Sequence, residues 1–223
     1  MSLRDLARRT GELVKTGAKK FADAVKSVWN TVRNRVEMLV GSFTELFSTE
    51  DIDNPSECEE LRRKDVACAL RTVLGDNPIE TICQADSSER ERMLSALVHC
   101  TAEALKIPPP DMDVEIMDAW TAGMYRFDLH RIVINRCEVD RTPMGVDEAV
   151  ELIDTVLHEM YHAFQRYAIE RPLKHNVSKE EAERWRNNFA NYICYEQSPR
   201  LYWKQPVEES ARNFAHAVMV LAQ

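Results

Sequence analysis

No run of this chain comes near the ~20 continuous apolar residues that a bilayer crossing requires. Nor does it begin with the unbroken apolar core of a secretory signal, because Arg4, Asp5, Arg8 and Arg9 interrupt the start. A cytoplasmic location is the default expectation, with export by a route that needs no cleaved signal left open. No two cysteines form a CxxC pair: Cys58, Cys68, Cys83, Cys100, Cys137 and Cys194 stand apart. That scatter fits neither a thiolate zinc site nor a disulfide framework, and free thiols in a reducing compartment are expected. There is no excess of positive charge either. A net charge of −8 argues against a nucleic-acid partner bound through general basicity. Internal repeats are also lacking.

What remains is a chain of 223 residues, 44% hydrophobic and 30% charged, the composition of a globular protein. Its charge is divided. Residues 1–46 carry nine Lys/Arg against five Asp/Glu, while the rest carries 20 against 32. A basic arm is joined to an acidic body.

The arm reads as helix over 3–47. Apolar or small side chains recur at 14, 18, 21, 25, 28, 32, 36, 39, 43 and 46, one stripe at helical spacing. Lys15, Lys19, Lys20, Lys26 and Arg33 lie off it. Three roles are open: packing on the body or a partner helix, lying on an anionic membrane surface, or serving as a targeting arm. The polar stretch "STEDIDNPSE" at 48–57 marks a boundary. The expected organisation is therefore an arm over 1–50 and one domain over 51–223.

In that domain, helices are expected at about 57–74, ending at Gly75, and at about 87–106, capped by Ser87 or Ser88 and stopped by the prolines at 108–110. The pattern then turns to strands at 113–120, 123–128 and 131–139, the last two joined as a hairpin through "DLH". Helices return at about 146–170, 178–196 and 206–221. Ser178 with Glu181 forms a capping-box signature, and Pro206 sits at a first-turn position.

The 146–170 segment contains "DTVLHEMYHAF", residues 154–164. On a helix, His158 and His162 share one face about a turn apart and can aim two imidazoles at one metal ion. Glu159 is rotated about 100° from His158, badly placed as a third ligand but well placed as a base toward a water on the metal. Around them Val156, Leu157, Met160, Tyr161, Ala163 and Phe164 are uncharged. The helix is therefore expected to be buried, and buried imidazoles need partners. A catalytic zinc site needs a third protein ligand. "QPVEESARNFAHAV", 205–218, offers one. Val207, Ala211, Phe214, Ala215 and Val218 make its packed face, Glu208 adjoins that face, and Glu209 lies about 100° further round. Glu208 is the favoured ligand, with Glu209 and His216 as alternatives and His175, in a loop beyond Pro172, a remote one. Tyr202, Tyr195, Arg212 and His216 are candidate donors to a developing oxyanion, and Asn135, Asp154 or Asn191 could orient the imidazoles.

A short sheet with "GMYRFDLHRIVIN", then "HEMYHAFQ", then "ExxAxxFA", resembles the gluzincin metallopeptidases, most of all the small bacterial and phage-borne peptidases of the ImmA/IrrE type. The resemblance covers roughly 113–221. It departs at Arg212, where the family pattern has Asn, and in the 46 residues between His162 and Glu208. It implies one Zn²⁺ held by His158, His162 and Glu208, with Glu159 as catalytic base. The implied fold is α+β and zincin-like: mostly helical, with a small antiparallel sheet of about three strands packed on the HExxH helix. It also implies a protein or peptide substrate paired along "MYRFD", 124–128. Two readings compete with a zinc endopeptidase: a non-catalytic zinc-binding interaction or sensor module, and a delivered toxin or effector that uses the basic arm.

Overall fold

The computed structural model describes residues 55–223. The expected arm at 3–47, and the boundary stretch as far as residue 54, lie outside the described residues. The described part is an α+β fold, mainly helical, with one three-stranded sheet.

Helix α1, Pro55–Leu74, ends at Gly75, whose φ of +82° is the left-handed geometry that stops helices and favours glycine. A short helix α2, Pro78–Gln84, follows. It was not expected, although its signal is plain in retrospect: Asn77 caps it by accepting from the Glu80 N–H, and Pro78 occupies the first turn. Helix α3, Ser87–Ala104, is capped by Asp86, one residue before the expected serines. The Asp86 side chain accepts from the Glu89 N–H while Glu89 reaches back, completing a capping box.

The sheet departs from expectation in two ways. Its strands are shorter: β1 Asp111–Glu115, β2 Gly123–Arg126 and β3 Arg131–Asn135. It is also mixed, in the order β1-β3-β2, with β1 parallel and β2 antiparallel to β3. The expected hairpin is the β2–β3 pair. The expected strand over 131–139 stops at Asn135, because Asn135 takes a cap role: its side chain accepts from the Cys137 N–H and starts a four-residue helix α4, Arg136–Val139. Residues 116–122 form a loop rather than strand, pinned as Asn135 Nδ2 donates to the carbonyls of Asp118 and Thr121.

Helix α5, Val146–Glu170, runs through the core. Ile132, Val133 and Ile134 of β3 are fully buried nearby. After a 3₁₀ turn at Leu173–His175 comes α6, Lys179–Ala190, capped by Ser178 through the Glu181 N–H. It ends six residues earlier than expected, at Asn191. A short helix α7, Pro199–Tyr202, lies inside the expected connector, and α8, Pro206–Ala222, closes the chain. Tyr161 of α5 stacks on Phe214 of α8 with ring centroids 4.3 Å apart, and Val156, Leu157, Ala211 and Ala215 are fully buried in the same core. Dense packing of that kind fixes the two helices against each other and so sets the site they share. All six cysteines are free. Among the described residues, no helix is long and apolar enough to cross a membrane.

Candidate metal centre

The first two turns of α8 meet the middle of α5. There Glu208, fully buried, points at both motif histidines. Its two carboxylate oxygens stand 3.2 Å from His158 Nε2 and 3.2 Å from His162 Nε2, and the two Nε2 atoms are 3.0 Å apart. Ligand atoms around a tetrahedral zinc with bonds of about 2.0 Å would be separated by about 3.3 Å, so the spacing matches a metal's first shell. Among the described residues, these three side chains form the one group of His, Cys, Asp and Glu able to hold a metal ion. Glu209 is exposed on the same helix, as the rotation argument required.

The protonation of His162 is fixed by a residue that sequence reasoning missed. The Gln165 Nε2 donates to the Val207 carbonyl at 3.1 Å and to Ser210 Oγ at 2.8 Å. A carbonyl only accepts, so the amide orientation is set and Oε1 faces His162 Nδ1 at 2.8 Å. Nδ1 must therefore carry the proton. In the neutral ring this leaves a lone pair on Nε2, aimed at His158 and Glu208. Oε2 of Glu208 is buried without a hydrogen-bond partner. Lone pairs and a carboxylate converging at 3 Å repel unless a proton or a cation sits among them.

The electrostatics agree. Burial opposes ionisation of Glu208, but the His158 and His162 imidazoles beside it outweigh that and hold the carboxyl well below the usual range. Burial disfavours protonated His162, yet Glu208 and Glu159 overcome this and raise its pKa. The cluster thus calls for positive charge, and a proton on imidazole supplies it when no metal does. Two nitrogens and a carboxylate oxygen are a donor set suited to zinc.

Glu159 is buried one position after His158, and its Oε2 accepts from the Tyr125 N–H at 2.7 Å. That bond ties the base to strand β2. The close approach also explains Gly123: a Cβ there would stand 2.7 Å from Thr155 Cγ2, and Thr155 is held by its own hydroxyl bond to the Glu151 carbonyl.

Two tyrosines roof the glutamate. The Tyr192 hydroxyl donates to Glu208 Oε1 at 2.6 Å. Tyr202 lies beside them in an edge contact with Tyr192, ring centroids 6.2 Å apart. Burial first, then the Glu208 charge, pushes both phenols far up, so they remain donors at any working pH. Tyr202 was expected here from sequence and Tyr192 was not, since its role depends on where the chain leaves α6. Arg212 Nη1 is 3.8 Å from Glu208 Oε2, and Arg212 also donates to the Trp203 carbonyl.

These residues line one cleft of about 700 Å³, shared by β2, α5 and the segment from Phe189 to Trp203. Other sequence candidates fall elsewhere. His216 is exposed, two turns beyond Glu208 and outside the cleft lining. His175 is buried at a distance, edge-on to Phe164. Asn135 holds the 116–122 loop, and Asn191 ends α6 by donating to the Asn187 carbonyl. Asp154 does line the cleft, one turn before His158. Its pKa is raised by burial, an effect that His158 and His216 offset only in part.

No family model, curated protein or solved structure matches this chain.

Proposed function

We propose that this protein is a zinc-dependent peptidase of the gluzincin type, with a zincin-like arrangement of its motif helix. The carrying observation is the lone pair that Gln165 leaves on His162 Nε2, converging with His158 Nε2 and an unpartnered oxygen of buried Glu208. His158, His162 and Glu208 would hold the ion. Bound zinc supplies a water acidified toward a pKa of about 7 and polarisation of a substrate carbonyl.

The chain's own residues do the rest. Glu159 takes the proton of the attacking water and returns it to the leaving amine. The Tyr125 N–H bonded to its carboxylate keeps the base in register with β2. Tyr202, protonated and beside Glu208, would be the donor to an oxyanion, while the Tyr192 proton is held by Glu208 Oε1. Of the two donors expected from sequence, Tyr202 lines the cleft, while His216 is exposed and outside its lining. The β2 edge facing the cleft offers an extended peptide a strand to pair with, consistent with a protein or peptide substrate.

The test is Glu159→Gln, assayed with an unstructured protein substrate beside zinc analysis. The expected result is about one zinc per chain in both proteins, with cleavage in the variant reduced by at least about a hundredfold. Zinc in both proteins and no cleavage by either would establish a non-catalytic zinc module instead. Absence of zinc from both, with no uptake on titration, would overturn every zinc reading.

A further inference from the structure

The cleft contains a second arginine besides Arg212, and its chemistry is uncommitted. Arg166 lies one turn beyond His162 on α5, about 6 Å further along the axis. Its guanidinium carbon sits 4.3 Å from the ring centre of Phe127, just past β2, and 3.8 Å from that of Phe189 on α6. Both rings line the cleft with it. Contact with a ring consumes no N–H donor. Among the described residues, Arg166 forms no ion pair and its guanidinium makes no hydrogen bond. The other cleft arginine, Arg212, donates to the Trp203 carbonyl and lies 3.8 Å from Glu208. Of the acidic residues in the cleft, Glu208 meets the histidines and Glu159 the Tyr125 N–H, while Asp154 and Glu196 form no ion pair with Arg166.

A half-buried guanidinium steadied by two aromatic rings is pre-organised. Its fork of donors loses little freedom on binding a carboxylate in bidentate fashion. Burial already lowers the pKa of Arg166, a sign that its surroundings do not compensate the charge. The cost of that uncompensated charge is recovered when an anion arrives.

We propose that Arg166 is a specificity residue that selects substrates carrying a carboxylate close to the scissile bond, either an Asp or Glu side chain or a free C-terminus. This rests on the peptidase reading above. One turn of helix separates it from a metal ligand, so a carboxylate it holds lies within one or two residues of the bond to be cut.

The experiment uses the full chain and paired fluorogenic peptides that differ by Glu against Gln at successive positions around the scissile bond. Each pair is made with a free and with an amidated C-terminus. The wild type is expected to prefer the carboxylate member of one pair about tenfold to a hundredfold in kcat/KM. A preference for Glu over Gln that survives amidation identifies a side-chain carboxylate, and a preference for the free over the amidated peptide, equal in the Glu and Gln members, identifies the C-terminus. Arg166→Met should bring that ratio close to one, and Arg166→Lys should leave an intermediate ratio because the fork is lost. Arg166→Glu should reverse the preference toward Lys-containing peptides, which a purely structural role cannot do. No carboxylate preference in the wild type, or an unchanged ratio in Arg166→Met, overturns the proposal. Binding of the same peptides to Glu159→Gln protein, followed by anisotropy, separates it from the peptidase reading. A carboxylate preference in binding without any cleavage by wild type sinks the peptidase and leaves the carboxylate site standing.

Discussion

Glu59 and Glu208 both meet α5 from a neighbouring helix, one from α1 and the other from α8. Glu59 arrives with its counter-charges. It pairs with Arg62 and with Arg63, the latter at 3.4 Å, and takes the Tyr161 hydroxyl at 3.2 Å. Arg62 in turn donates to the His175 carbonyl at 2.8 Å and lies over Phe164. Glu208 is more deeply buried and worse supplied. Its close neighbours are two imidazoles and two phenols, and the Arg212 guanidinium remains at 3.8 Å without a hydrogen bond to it. An acid that folds together with its cations is a joint between helices. An acid met by two imidazoles, with one oxygen left unpartnered, could hold a metal ion. The same residue type, against the same helix, is suited to either job according to what surrounds it.

The sharpest way to break this contrast is to remove each acid. Glu208→Gln should abolish zinc binding and lower activity by at least about a thousandfold. The metal-free variant should also lose stability at neutral pH against metal-free wild type, since the fold favours the ionised carboxylate. Glu59→Ala should lose about 1–3 kcal/mol of stability but keep about one zinc per chain. Zinc analysis and urea unfolding of both variants decide it, and equal zinc loss in the two would erase the distinction.

A smaller effect is expected at Gln165. Gln165→Leu keeps every ligand but removes the acceptor that holds the His162 proton on Nδ1, so zinc affinity should weaken about 10- to 100-fold. Competition with a calibrated chelator measures this. An unchanged affinity would mean that packing alone orients the ring.

The smallest expected effect is a difference of sign in acid. Burial raises the folded pKa of Glu59 despite Arg62 and Arg63. Its contribution to stability is therefore full below the unfolded value near 4.5 and declines as pH rises through the folded value. Glu208 is lowered on balance, so its contribution is present above about 4.5 and is lost as pH falls below it. Between pH 4 and 6, metal-free Glu59→Gln should gain stability with rising pH more steeply than wild type, and metal-free Glu208→Gln less steeply. Urea midpoints across that range check both slopes.

The motif half of the site was readable because it is local. His158, Glu159 and His162 need only helical spacing, and the uncharged residues around them announced burial. Glu208 over Glu209 followed from the packed face of one helix, again a local periodicity. What escaped depends on chain reversal. Gln165 matters only because α8 places Val207 and Ser210 beside it, and Tyr192 only because α6 stops at Asn191 and turns the next residue over Glu208. Strand pattern suggested three strands but could not tell that β1 runs parallel to β3, since order within a sheet is set by packing far along the sequence. The strand expected over 131–139 is cut short because Asn135 caps the helix that follows it.

Gln165 also bears on how the protein comes apart. Its amide spans the seam between the motif helix and the start of α8, so separating the two helices frees the His162 ring to spin. A spinning ring is a poor chelator. Release of the ion should therefore coincide with rupture of that one seam and not trail behind general loosening. Followed with a metal-sensitive dye during unfolding, zinc would serve as a reporter for a single joint of the molecule.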